Sequence, residues 1–327
     1  MKAAILTQKE RFELLDIPIP VMDDTDVMVK ITDCSVCNST DAKLFHGKHK
    51  LSVYPMLIGH ECAGIVYKIG RKVTRWKEGD RVLGSVFKGT KQIPAVWGGY
   101  AEFGVCNETA LLPIPDGVGL TEATLAVMLG ETLNAVRIAE VKPGDTVGII
   151  GCGAVGLSLL SVVQHFLPQT IIALDISDEK LARAKQMGAD VTLNTAAPDI
   201  REQIDVITGG NGLNKIFEAV GKKDTYELMY DTAARNGIIV PFGIVNEDIQ
   251  VPFQKIYSRQ VQIRWCSAAG DYGSVYKSAA LKMLQRGFID KGMITSVTPL
   301  EQIGKVFERI ALGRETRAVI QMNGGKA

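Results

Sequence analysis

The chain has 327 residues, a formal net charge of +1 and a hydrophobic fraction of 46%. At roughly 100–200 residues per domain that length suits two domains, and the balanced charge gives no electrostatic reason to expect nucleic acid or an anionic membrane as partner. The longest apolar stretches, such as residues 146–150, are far too short to span a bilayer, and residues 1–5 lead straight into strand-like sequence without a signal-peptide layout, so a cytoplasmic protein is expected.

Three regions differ in texture. Residues 1 to about 130 carry short β-type runs at 27–31, 64–69 and 81–83, broken by Gly, Pro and Asp; this predicts a compact all-β body with turns. From about 131 to 267, strands alternate with helices: strand 146–150, helix 154–166, strand 171–174, charged amphipathic helix 178–187, strand 215–218, helix 224–234 and strand 237–240. Such alternation predicts a parallel sheet with helices on both faces. From 268 onward come helices at 275–286 and 300–311 and a strand at 317–321. Those elements are few for an independent domain, so the tail is expected to fold back on the first region. The fold expected is α/β: a β-rich domain of residues 1–130 and 268–327, with a doubly wound domain of residues 131–267 inserted in it.

Residues 151–156 read Gly151-Cys152-Gly153-Ala154-Val155-Gly156, a G-x-G-x-x-G between an apolar strand and a helix, the context a dinucleotide site requires. Gly151 permits the tight turn, Gly153 lets the backbone approach a pyrophosphate, and Gly156 lets helix and strand pack closely. The helix opening at Ala154 and Val155 offers unpaired N–H groups to phosphates. Asp175 ends the next strand at about the expected ~20 residues; it can accept from ribose hydroxyls and would repel a 2′-phosphate. No arginine stands beside it, which favours NAD over NADP, and Lys180 lies one helical turn further on. The plainer reading is a glycine-rich turn with no dinucleotide.

Six cysteines (34, 37, 62, 106, 152, 266) and four histidines (46, 49, 60, 165) are scattered along the chain. A disulfide framework is not expected in a chain of this kind. Cys37, His60 and Glu131 together would give a thiolate, an imidazole and a carboxylate, a donor set suited to zinc with one position left open. Each has a plainer alternative: Cys34 and Cys37 as a C-x-x-C redox pair with Cys34 otherwise packing, His60 as a structural turn residue, Glu131 as a first-turn glutamate favoured by the helix dipole.

Taken together, Cys37, Gly59-His60-Glu61, the run 64–70, Gly79-Asp80-Arg81-Val82, Gly98-Gly99-Tyr100-Ala101-Glu102, residues 151–156, Glu218-Ala219-Val220-Gly221 and Pro299-Leu300-Glu301 resemble the zinc-containing medium-chain alcohol and polyol dehydrogenases over essentially the whole chain. The resemblance implies a GroES-like catalytic domain and a Rossmann domain, with the site in the cleft. It implies Cys37 and His60 as zinc ligands, Glu61 as a ligand exchanging with water, Glu131 at a position where polyol-type members carry glutamate, and Ser39 as acceptor of the alcohol proton. Val220 and Gly243 match positions near the nicotinamide. It also implies a homodimer or homotetramer, with residues 261–266 as an edge strand for dimerisation. The implied activity is oxidation of a secondary alcohol in a polyol, cyclitol or sugar, with simple secondary alcohols or amino alcohols as the alternative. A zinc-free NADPH-dependent quinone or enone reductase and a non-enzymatic nucleotide-binding protein are the rival readings.

The sequence departs from the family pattern in three places. No cysteine lies between residues 82 and 98, where relatives hold a structural zinc, so a single zinc is expected. Residues 37–41 read Cys37-Asn38-Ser39-Thr40-Asp41, which leaves either Thr40 or Asp41 to orient the ligating histidine. Ala42 stands where some relatives have a relay histidine, leaving His46, Lys43 or water. Trp97, Phe45, Trp265, Asp271 and Tyr272 are candidates for a substrate pocket, the aromatic ones equally for ordinary core or subunit contacts.

Overall fold

A computed structural model describes residues 1–245, 248–266 and 273–322. The chain divides into two compact units: Met1–Val127 with Ser278–Gly287 and Lys291–Ala327, and Met128–Lys277 with Phe288–Asp290. Two helices, Ala126–Ile138 and Gly273–Gln285, run across a boundary between them. Among the described residues no helix is long and apolar enough to cross a membrane.

The first unit is built on a seven-stranded sheet. Its path runs Ser296–Pro299, Ala318–Gln321, Asp26–Ser35, Glu61–Ile69, Arg81–Gly84 and Leu111–Pro113, while Phe103–Asn107 also pairs with Asp26–Ser35. All pairs are antiparallel except the first. A separate hairpin joins Lys2–Gln8 to Arg11–Asp16. Short β-type runs broken by Gly, Pro and Asp predicted an all-β body for this part of the sequence; the structure adds the short helices Thr40–Phe45 and Leu120–Ala123. The tail also holds a strand unseen in the sequence, Ser296–Pro299, which pairs in parallel with Ala318–Gln321.

Phe12, Phe45, Tyr100 and Phe307 form an aromatic cluster in this core. Phe45 lies 5.5 Å from Phe12 and 4.8 Å from Phe307, centroid to centroid. The helix Ile303–Ala311 thereby docks on Thr40–Phe45, burying Phe307. Phe45 is core, not pocket wall: its position on a short helix turned inward gives it aromatic neighbours on both sides.

The second unit is a six-stranded parallel sheet. From one edge the strands are Val191–Asn194, Thr170–Asp175, Thr146–Ile150, Leu213–Glu218, Ala233–Pro241 and Gln262–Ile263. In chain order this is 3-2-1-4-5-6, the doubly wound dinucleotide-binding arrangement, whose order reverses between the first and fourth strands. Near-continuous apolar burial in the central strands (Val147, Ile149, Ile150, Ile216, Phe217) is what a sheet covered on both faces requires. The helix expected at 154–166 is α-helical over Ala154–Val163 and closes as a 3-10 turn at Gln164–Phe166. The helix expected at 224–234 is Lys223–Thr232, and Ala233 and Ala234 belong to the following strand.

Candidate functional site

Strand register builds the first site. Asp26–Ser35 and Glu61–Ile69 are antiparallel, with Ser35 opposite Glu61. Residues just after one strand therefore meet those just before the other. One ligand atom from each of Cys37, His60 and Glu61 lies within 4.8 Å of the other two. Asp41, in the first turn of Thr40–Phe45, accepts the Cys37 backbone N–H on Oδ2 at 3.1 Å. The Thr40 N–H approaches the Cys37 sulfur at 3.4 Å, and the exposed Ser39 hydroxyl lies 3.3 Å from it.

Asp41 is also the residue that faces the histidine. Its Oδ1 stands 3.2 Å from His60 Nδ1, and neither atom hydrogen bonds to anything else. The contact is an ion-pair approach that falls short of an aligned hydrogen bond. Of the two residues the sequence offered, Asp41 stands beside the imidazole, while the Thr40 backbone amide faces the sulfur. The other ring nitrogen, Nε2, lies 3.9 Å from Glu61 Oε1.

The charges reinforce one another. Burial works against a Cys37 thiolate, but the neighbouring His60 outweighs it and holds the thiol below its ordinary pKa. Burial likewise opposes a charged His60, and Asp41, followed by Cys37, carries its pKa well above the usual value. Burial, with Asp41 next, keeps the Tyr100 phenol protonated far up the scale. Glu61 is fully buried and needs a counter-charge. Arg317, itself 1% exposed, pairs with its Oε2, and Ser35 donates its hydroxyl to the same oxygen. Neither partner is legible from the sequence.

A thiolate, an imidazole backed by a carboxylate, and a second carboxylate fit zinc in donor type and in the outer carboxylate that fixes the imidazole tautomer. Glu131 lies in the helix Ala126–Ile138, past the first turn, so the dipole explanation for it falls away. Trp97 packs its ring 4.9 Å from His60. Trp265 is largely exposed, and Asp271 and Tyr272 lie outside the described residues. Cys34 faces Cys62, Sγ to Sγ 3.3 Å, on the paired strands, so it packs there and makes no pair with Cys37. His46 is taken up by Glu10 at 2.7 Å.

The second site lies within the parallel sheet's unit, where the strand order reverses. Gly151 follows the first strand with φ +98°, a conformation that favours glycine. A methyl group on Gly156 would collide with the Gly151 carbonyl, so the third glycine sets the approach of helix to strand. Asp175 ends the second strand, nearly buried. Its Oδ2 accepts the Cys152 N–H at 2.7 Å and its Oδ1 the Ser177 N–H at 2.9 Å. Ser177 then caps the next helix, accepting the Lys180 N–H at 3.4 Å. Across the reversal, Glu218 Oε1 accepts the N–H groups of Val220 and Gly221, and its backbone carbonyl accepts that of Gly243. The loops carrying Gly151, Val220 and Gly243 thus come together: methyl groups on Gly151 and Gly243 would strike Val220 and the Gly221 backbone respectively.

Comparison with known proteins bears on both sites. Residues 23–116 match the family described as Alcohol dehydrogenase GroES-like domain, and residues 154–286 that described as Zinc-binding dehydrogenase. An alcohol dehydrogenase of Geobacillus stearothermophilus is 30% identical over 96% of both chains. The chain belongs to the zinc-type medium-chain alcohol dehydrogenases. As a member of that family it is an oxidoreductase. A sorbitol dehydrogenase of Bacillus subtilis is 25% identical over 94% of this chain and 93% of its own. In fold, the alcohol dehydrogenase TADH from Thermus sp. ATN1 superposes with a TM-score of 0.89 at 22% identity, covering 99% of this chain and all of its own. In this alcohol dehydrogenase the residues that sequence reasoning passed over are Ser35, Tyr100 and Arg317. Tyr100 was visible only as one letter of a glycine-rich motif, and Arg317 only as a cation beginning an apolar strand.

Proposed function

We propose that this dehydrogenase uses one zinc ion per chain and NAD to oxidise a secondary alcohol in a polyol, cyclitol or sugar. The observation that carries the reading is the convergence of Cys37, His60 and Glu61, with Asp41 behind the imidazole. Cys37 as thiolate and His60 through Nε2 would hold the ion, and Glu61 would offer Oε1 while Arg317 and Ser35 hold its other oxygen. Glu131 is the further ligand that the family resemblance implies. Zinc bound there would lower the pKa of the substrate hydroxyl, as it does for water. Ser39, exposed beside the Cys37 sulfur, would accept the hydroxyl proton at Oγ while releasing its own hydroxyl proton to water. The absence of cysteine between residues 82 and 98 supports a single zinc.

On the cofactor side, Gly151, Gly153, Ala154, Val155 and Gly156 would cradle the pyrophosphate. Asp175, with Lys180 nearby, would bind the adenosine ribose, and Val220 and Gly243 would flank the nicotinamide. Polyol chemistry is supported by Glu131 and by relatives named sorbitol dehydrogenase and, in Enterococcus avium, D-arabitol-phosphate dehydrogenase. The reading carries with it a cytoplasmic homodimer or homotetramer, checked by light scattering.

The test is a screen of polyols, cyclitols, sugars and simple secondary alcohols with NAD+ and NADP+, followed by formation of the reduced cofactor. NAD+ turnover with a polyol-class alcohol is expected. Asp175→Ala should raise KM for NAD+ by about tenfold, the loss of a charged hydrogen bond, and narrow the preference over NADP+. A native protein that prefers NADP+ contradicts the ribose assignment.

A further inference from the structure

We propose that Tyr100 is a positioning residue for the zinc ligands, its hydroxyl holding Asp41 in the orientation that presents Oδ1 to His60. The inference rests on the zinc reading above and extends it to a residue outside the ligand set. Asp41 is a fully buried carboxylate whose two oxygens are divided between different tasks. Oδ2 accepts the Tyr100 phenol at 2.7 Å and the Cys37 backbone N–H at 3.1 Å. Oδ1 is left to face His60 Nδ1 at 3.2 Å. One carboxylate thus ties the backbone of one ligand to the ring of another, and the phenol fixes which oxygen does which.

Tyr100 is itself held at both ends. Its backbone N–H donates to Ile58 at 3.0 Å, and its carbonyl accepts from Ala4 at 2.9 Å. Its ring packs edge-on against Phe12 and Phe307, each 6.4 Å away, and lies against Gly59, the residue before His60. The ring cannot swing away, so the hydroxyl is delivered to one point. A carboxylate oriented in this way keeps the proton of the imidazole on Nδ1 and leaves the Nε2 lone pair for a metal. Without the phenol, Asp41 keeps a single donor on Oδ2 and is free to turn its plane away from His60.

Tyr100→Phe removes the oxygen and keeps the ring. Zinc affinity is measured by competition with a chromophoric chelator for the wild type, Tyr100→Phe, Asp41→Ala and the double variant, with melting of each metal-free protein recorded alongside. Tyr100→Phe should bind zinc about tenfold more weakly, the lower end of what loss of an outer partner does. The same change in the Asp41→Ala background should have little further effect, because the phenol acts through the carboxylate. Undiminished affinity in Tyr100→Phe, in a wild type that does bind zinc, overturns the role of Tyr100 alone. An equal loss in both backgrounds overturns it as well, since Tyr100 would then act by packing. If Asp41→Ala fails to fold, Tyr100→Phe decides on its own: a lowered melting temperature with wild-type zinc affinity counts against the proposal. A wild type that takes up no zinc overturns the zinc reading and this inference with it.

Discussion

At Cys37 two influences oppose each other on one sulfur, and their balance is measurable. Burial disfavours the thiolate, while His60 favours it more strongly. Elsewhere burial acts almost unopposed: Cys106 and Cys152 are pushed up to about 12 and Cys266 to about 11. The thiolate is the reacting species. In metal-free protein, iodoacetamide should therefore label Cys37 before the others. Its rate should rise with pH to half its maximum below the ordinary thiol value of about 8.5. Bound zinc should suppress the labelling, and peptide mapping across pH checks each point. Single residues were unevenly legible in the sequence. Cys37 and His60 stood out as scarce, chemically distinctive residues in a recognisable pattern. Phe45 stood open between pocket and core and packs in the core, because an aromatic side chain looks the same in a sequence whichever way its helix faces.

Elements were most legible where the signal is local. Residues 146–156 specify a strand, a tight turn and a helix start within a few positions, and the structure has all three. Gly156→Ala tests the close approach. The added methyl would meet the Gly151 carbonyl, so the helix must shift. Denaturant melts should show a loss of about 1–3 kcal/mol, typical of overpacking, together with NADH binding weakened at least tenfold as the loop is displaced. Wild-type NADH affinity in that variant would contradict the role given to the turn. Legibility failed where partners decide. Ala233 and Ala234 favour helix by themselves, yet Ala233 pairs with Leu213 in the parallel sheet, and Arg259 binds the carbonyls of Asp231 and Ala233 where the helix ends. Tertiary contacts overrode propensity there. The strand Ser296–Pro299 was missed for a similar reason: its four residues lie at the sheet's edge and take their conformation from Ala318–Gln321.

At the scale of the whole chain, segments from its two ends fold into one unit, and the grouping of Cys37, His60 and Glu61 depends on both. Arg317 reaches back to Glu61 and to the Val36 carbonyl, and Asn38 donates to the carbonyls of Glu315 and Thr316. The loop bearing Cys37 is thus fastened by a segment nearly three hundred residues away in sequence. The sparse tail pointed to this return of the chain. It could not reveal the buried Arg317–Glu61 pair, since an arginine at the start of a strand looks like a solvated cation until its partner is known. The central claim is that oxidation of an alcohol depends on zinc held by Cys37 and His60. The most direct measurement follows NAD+ reduction with a substrate alcohol after the metal has been stripped by a chelator, then restored by stoichiometric zinc, with metal content determined at each stage. Activity should fall with the zinc, return with about one equivalent per chain in line with a single catalytic site, and be absent from Cys37→Ser at every stage. Full turnover by metal-free protein would contradict the account.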